Sequence, residues 1–244
     1  MFNFLPRVIQ IGPVNLQLYG ITLVCGAMVG CIIATRFAKE RALDPIYIWD
    51  FTLYALIGGI TAARLVFALQ NLSLFLASPL AIFALQEGGL SFHGGLLGGF
   101  TAGIWYAKKK RLYFWNLADI IIPGLAIGEA VGRIGCDLYG KATVNGLFPI
   151  VVNGARYHNV PLYTGVSSFI IFITLWKLRK IVQTGVLFPL YILLYSIARF
   201  FIEFTRQSAM IGLLSVAQIA SIVLVLLSGT VLWFLKQKKK VLTY

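Results

Sequence analysis

The chain has 244 residues, 59% of them hydrophobic and only 12% charged, with a formal net charge of +13. That balance excludes an ordinary soluble domain and describes an integral membrane protein. The excess of basic residues does not indicate nucleic acid, because those residues cluster between apolar stretches.

A hydrocarbon core of about 30 Å needs about 20 apolar helical residues. Seven stretches meet or approach that length, at about 15–36, 47–70, 89–107, 113–135, 162–179, 185–205 and 212–235. The fold class predicted is therefore all-α, a seven-transmembrane-helix bundle. In the first stretch Val29-Gly30-Cys31 faintly resembles a lipoprotein cleavage box, but the apolar run continues past it, which predicts an uncleaved span. Leu72 to Leu85 is apolar but too short to span and is interrupted by Ser78-Pro79, which predicts a short helix lying in the outer interface. Cys25 and Cys31 fall inside the first span and Cys136 at the end of the fourth, a pattern that predicts no structural disulfide. With no low-complexity linker and no convincing internal repeat, residues 1–244 read as a single transmembrane domain.

Orientation follows from the basic residues at the span ends. Arg36, Lys39 and Arg41 follow the first span, Lys108, Lys109, Lys110 and Arg111 the third, Lys177, Arg179 and Lys180 the fifth, and Lys236, Lys238, Lys239 and Lys240 the seventh. All of these fall on one side, which places the N-terminus outside and the C-terminus in the cytoplasm. The others are Arg7, Arg64, Arg133, Lys141, Arg156, Arg199 and Arg206, most of them in or near the outer half.

Charges inside a membrane are costly and mark candidate sites. The second span enters from the cytoplasm near Tyr47, so at 1.5 Å per residue Arg64 lies about 25 Å up. By the same rise Arg199 lies about 21 Å up the sixth span, with Glu203 higher still. Arg133 ends the ascending fourth span, while Tyr19 and His93 begin descending spans. Six polar groups from five spans are thus expected in one outer layer. Glu129 and Arg133 are four apart and share a helix face, within a glycine-rich segment at Gly128, Gly132 and Gly135. In the sixth span Tyr191, Tyr195, Arg199 and Glu203 recur every four residues and Arg206 follows, giving one polar face. These residues could pair with one another structurally, or hold an anionic ligand between the arginines.

The run Ser91-Phe92-His93-Gly94-Gly95-Leu96-Leu97-Gly98-Gly99 lacks the Gly-Lys-Ser/Thr of a phosphate loop and instead shows small-xxx-small spacing for close helix packing. His93 could be a general base or a hydrogen-bond donor. Asp50 and Asp119 belong to the cytoplasmic half and read as helix-end or packing residues. His158, in the outer loop, is expected to be solvent-accessible. With two histidines and no Cys/His grouping at ligand spacing, neither metal nor cofactor is expected.

Taken together, these motifs resemble the prolipoprotein diacylglyceryl transferases of bacteria nearly end to end. Leu18-Tyr19-Gly20 is similar to that family's first-span Tyr-Gly, and Gly59 to Leu65 to its Gly-x-x-Gly-Ala-Arg-Leu. Gly89 to Leu96 is close to its histidine motif, and Gly132-Arg133-Ile134-Gly135 to the core of its most diagnostic segment. Tyr195 to Arg206 resembles its Tyr-Gly-x-x-Arg-x-x-x-Glu-x-x-Arg, and Gln218-Ile219-Ala220-Ser221 its Gln-Ile-x-Ser. The departures are Cys136 and Lys141, where the commonest form has Asn and Glu, and Asn159 and Thr164, where it has Pro and Glu.

The resemblance implies a multi-pass protein of the bacterial plasma (inner) membrane with its site toward the outer leaflet. It implies transfer of diacylglyceryl from phosphatidylglycerol to the lipobox cysteine of a lipoprotein precursor, with release of glycerol 1-phosphate. Under it Arg133 and Arg199 clamp the phosphate, oriented by Glu129 and Glu203. His93 acts as base or orients the lipid glycerol, Tyr19 and Tyr195 contact the headgroup, and Arg64 and Arg206 guide the anionic lipid. The implied partners are phosphatidylglycerol, the precursor's signal peptide and membrane lipids, not nucleic acid. The alternatives are a related lipid transferase with another acceptor and a transporter or channel. Against the latter, the polar groups thin out toward the cytoplasm and no inverted repeat of broken helices is apparent.

Overall fold

The computed structural model describes residues 8–11, 14–84 and 88–241. Arg7 and Leu85, and the side chains of Lys238, Lys239 and Lys240, lie outside the described residues. The described residues are mainly helical. Its α-helices are α1 (Leu18–Glu40), α2 (Ile46–Gln70), α3 (Leu72–Ala77), α4 (Phe92–Lys109), α5 (Phe114–Gly132), α6 (Val160–Leu178), α7 (Leu187–Glu203) and α8 (Val216–Val241). Each stretch predicted to span carries one of these helices. By length and composition Leu18–Glu40, Ile46–Gln70, Val160–Leu178 and Val216–Gln237 suffice to cross a membrane.

Three two-stranded antiparallel ribbons, which the all-helical reading did not anticipate, join or precede helices. They are β1 (Val8–Ile11) with β2 (Val14–Gln17), β3 (Ile150–Val152) with β4 (Ala155–Tyr157), and β5 (Met210–Ile211) with β6 (Leu214–Ser215). The predicted interfacial helix is two pieces, α3 and a 3-10 turn over Pro79–Phe83. Ser78 between them is extended, at φ −142° and ψ 84°, because the proline ring that follows disfavours helical backbone there. Leu76, Leu80 and Phe83 in these pieces are more than three-quarters exposed.

Two compact units can be distinguished. The first comprises residues 1–34 and 118–244 and the second residues 35–117. In the second unit α2 lies on α4 through small residues. A Cβ added to Gly58 would come 2.6 Å from Ala102 Cβ, and one on Gly94 would come 2.7 Å from the Ala62 carbonyl. The small-xxx-small spacing of α4 therefore serves a near contact of two backbones. Tyr106 is fully buried there, stacked on Tyr54, and donates to Asp50 Oδ2 at 3.1 Å.

In the first unit α1 meets α5 in the same way, Gly26 against Gly128 and Gly30 against Gly124. Local signals set the helix starts. Asn159 caps α6 by accepting from Leu162 N at 3.1 Å, with Pro161 in the first turn. Ser215 and Gln218 form a capping box for α8: Gln218 N donates to Ser215 Oγ at 3.2 Å and Ser215 N to Gln218 Oε1 at 2.9 Å. The residue that begins α7 from outside is Asp119 of α5. Its completely buried carboxylate accepts from Gly185 N at 2.6 Å and Phe188 N at 2.9 Å. Both aspartates read as packing residues thus join neighbouring helices.

Candidate functional site

Of the residues singled out from the sequence, Tyr19, Glu129, Arg133, Tyr195, Arg199, Glu203 and Arg206 belong to the first unit, and Arg64 and His93 to the second. In the first unit all of these but Tyr19 gather around two carboxylates. Glu129, on the last turn of α5, accepts from Arg133 Nη2 at 3.0 Å and from Tyr195 Oη of α7 at 3.2 Å through Oε1, while Oε2 accepts from Ser168 Oγ of α6 at 3.0 Å. Three elements therefore fix this carboxylate. The i,i+4 face explains the Arg133 contact.

Glu203 is the second centre. Its side chain is only 2% exposed, with Oε2 2.9 Å from Arg199 Nη2 and 3.6 Å from Arg206 Nε, and Oε1 accepting from Ser215 Oγ at 3.2 Å. Oε2 thus faces both guanidinium groups, with Arg199 the nearer. Arg133, Arg199 and Arg206 each leave between a quarter and a third of the side chain exposed. Burial, and then the neighbouring charges of Arg199 and Arg133, lower the Arg206 pKa from the ordinary arginine value, while Glu203 opposes the shift. Arg206 thus feels the charges of both Arg199 and Arg133.

A cavity of about 810 Å³ opens at Arg133. Arg133, Cys136 and Asp137 line it together with apolar residues of α5 and α6, among them Val131, Leu162, Val166 and Phe169, and Ile150 and Val151 of the β3–β4 ribbon. Its walls are those of a site for a molecule with a long apolar part and a charged end. Tyr19, at the start of α1, is 45% exposed. His158, expected to be open to solvent, is half-buried because its Nδ1 lies 3.3 Å from Tyr163 Oη, which donates to the Leu147 carbonyl. Thr164 is buried and donates to the Val160 carbonyl of its own helix.

The second unit places His93 as the second residue of α4, exposed, in a turn capped by Ser91 Oγ at 3.4 Å from Gly94 N. Arg64 is a correction. Read from sequence as a guide for an anionic lipid, it is 6% exposed and donates from all three nitrogens to the carbonyls of Ile82, Gly88, Gly89, Ala81 and Ala84. Those contacts use the five N–H donors of a guanidinium group, leaving none for a lipid phosphate. Ser168 and Ser215 were missed. Serine is common in helices, and only the fold shows that these two hydroxyls face carboxylates.

Such a chain is, by fold and site, a multi-pass helical membrane protein with an apolar cavity that carries one arginine in its wall. Residues 6–234 match the prolipoprotein diacylglyceryl transferase family, and the chain belongs to it. A phosphatidylglycerol–prolipoprotein diacylglyceryl transferase of Halalkalibacterium halodurans is 34% identical over 262 residues, covering all of this chain and 90% of the relative. A protein of the same name from Clostridioides difficile is 36% identical over 86% of this chain and 87% of its own length. One from Nostoc is 31% identical, over 89% and 84% respectively.

Proposed function

We propose that this chain transfers the diacylglyceryl group of phosphatidylglycerol to the cysteine thiol of a lipoprotein precursor and releases glycerol 1-phosphate. The observation that carries this reading is the contrast between arginines. Arg64 has spent its donors on carbonyls, whereas Arg133 pairs with Glu129 at the wall of a cavity of about 810 Å³ with apolar sides, and Arg199 and Arg206 share Glu203. A phosphodiester monoanion would relieve the repulsion that Arg206 feels from Arg199 and Arg133, and its oxygens suit the planar fork of a guanidinium group.

In the reaction the thiol sulfur attacks the terminal glyceryl carbon of the diacylglycerol moiety, and the bond from that carbon to the phosphate oxygen breaks. The thiol proton passes to a base, for which His93 is the residue proposed. Charge grows on the departing phosphate, and Arg133 and Arg199 stabilise it most in the transition state because they are already fixed there. Glu129 and Glu203 hold those two guanidinium groups. Tyr195, bonded to Glu129, and exposed Tyr19 contact the headgroup, and Arg206 draws the anionic lipid in.

The same reading takes residues 1–244 as one transmembrane domain with seven spans, α4, α5 and α7 joining the four that are long and apolar enough. The N-terminus lies outside, the C-terminus in the cytoplasm, and the site at the outer leaflet of the bacterial plasma membrane. The acceptor is the lipobox cysteine of the precursor's signal peptide. The test is to incubate purified protein with phosphatidylglycerol and a lipobox peptide and to follow the diacylglyceryl adduct and glycerol phosphate by mass spectrometry. Arg133→Gln and Arg199→Gln should each abolish the adduct in folded protein. Rates within a few-fold of wild type for both would reject the clamp, and lipid turnover without an adduct would point to a different acceptor.

A further inference from the structure

Arg64 has no place among the lipid contacts, yet a buried guanidinium with every donor engaged is too costly to be incidental. Its partners lie in two groups on the chain between α2 and α4. Nε and Nη2 reach the carbonyls of Ile82, Ala81 and Ala84 in and just after the 3-10 turn, while Nη1 reaches Gly88 and Gly89 just before α4. The guanidinium carbon also lies 5.8 Å and 5.3 Å from the ring centroids of Phe67 and Phe75, so aromatic rings of α2 and α3 flank it. Gly88 and Gly89 take φ of +82° and +76°, backbone that favours glycine and turns those carbonyls toward it.

The neighbouring backbone continues the same construction into α4. Ser91 N donates to the carbonyl of Ala63, the residue before Arg64, at 3.0 Å. Ser91 then caps α4 through Gly94 N, and a Cβ on Gly94 would come 2.7 Å from the Ala62 carbonyl and 3.0 Å from Ala63 Cα. The first turn of α4 is therefore seated on residues 62 to 66 of α2. His93 lies within that turn.

We propose that Arg64 is a positioning residue that clasps the two ends of the α3–α4 connection and thereby fixes the first turn of α4, so that His93 is presented at one angle and height. The proposal rests on the reading of His93 as a working residue of the transferase. A lysine cannot replace Arg64, because its three donors radiate from one point and cannot reach carbonyls on both sides of a planar fork.

The test uses the full chain in nanodiscs with Arg64→Lys, Arg64→Gln and Gly89→Ala, the last disturbing the clasp from the opposite side. In all three the amides of Ser91, Gly94 and Gly95 should exchange faster than in wild type. All three should also lower kcat by roughly 10- to 100-fold, the scale of a misplaced catalytic group, while KM for phosphatidylglycerol changes less than about threefold. If Arg64 acts through His93, the Arg64→Lys/His93→Gln double variant should be no slower than His93→Gln alone. Additive losses, unchanged exchange at those amides, or a KM raised tenfold with kcat retained would each overturn the clasp. A His93→Gln variant at full rate would instead reject the histidine's role, and with it the positioning of a catalytic group.

Discussion

Ser168 is the least conspicuous member of the site and the most exposing of how it is held. It is 1% exposed, sits on α6, and gives its hydroxyl to the one oxygen of Glu129 that neither Arg133 nor Tyr195 uses. A hydrogen bond to a charged acceptor contributes about 1.5–3 kcal/mol. Ser168→Ala should therefore leave the protein folded but lower kcat/KM by roughly tenfold or more, since Glu129 could then turn and carry Arg133 with it. Initial rates with phosphatidylglycerol would check this; a rate equal to wild type would mean that Arg133 and Tyr195 suffice. Glu203 is a harsher case, because its side chain is 2% exposed between two arginines. Glu203→Gln should cost about 3–5 kcal/mol of stability, seen as a lowered Tm in detergent, together with loss of transfer. The sequence shows those pairs plainly, because spacings of three and four put Glu129 with Arg133, and Arg199 and Arg206 with Glu203, on single helix faces. It does not show Tyr195 meeting Glu129 or Ser215 meeting Glu203, since those contacts depend on how helices distant in sequence are packed.

Among elements, the glycines of α1, α2, α4 and α5 decide how closely helices approach. At Gly30 an added Cβ would come 2.6 Å from the Gly124 carbonyl, whereas at Gly20 in the same helix it would meet nothing within 4 Å. Gly30→Ala should thus part α1 from α5 and destabilise by about 1–3 kcal/mol, as overpacking does. Gly20→Ala should be neutral or gain up to about 1 kcal/mol from helix propensity. Thermal unfolding of the two variants side by side would check both, and equal effects would dismiss the close contact. Apolar length and small-residue spacing made these helices legible from the sequence. The connections are less so: the ribbons are two to four residues per strand, too short for an alternating pattern, and the Ser78-Pro79 interruption, visible in the sequence, divides the expected short helix into α3 and a 3-10 turn. Arg64 was misread for the same reason. Its partners are main-chain carbonyls of a returning connection, which no side-chain pattern announces.

On the scale of the whole molecule, Cys136 offers a direct reading of orientation. It lines the same cavity as Arg133 and is only partly buried, whereas Cys31 is buried and Cys25, though exposed, lies within the apolar helix α1, where a charged reagent would have to enter hydrocarbon. If the cavity faces the outer leaflet, a membrane-impermeant maleimide added to right-side-out vesicles should label wild type and not Cys136→Ser. Phosphatidylglycerol should slow the labelling severalfold by filling the cavity. Labelling only from the opposite face would reverse the topology, and labelling indifferent to the lipid would separate the cavity from the donor site.

The buried carboxylate of Asp119 has a mechanical consequence. It fastens α5 to the beginning of α7, and ten residues later Glu129 fastens α5 to Tyr195 farther along α7. Two rungs separated by about 15 Å of helix prevent α7 from sliding lengthwise against α5 like a piston. A lengthwise displacement of one helix against the other would have to break both attachments at once. The spacing between the Glu129 cluster on one and Arg199 on the other is thereby fixed by two attachments rather than one.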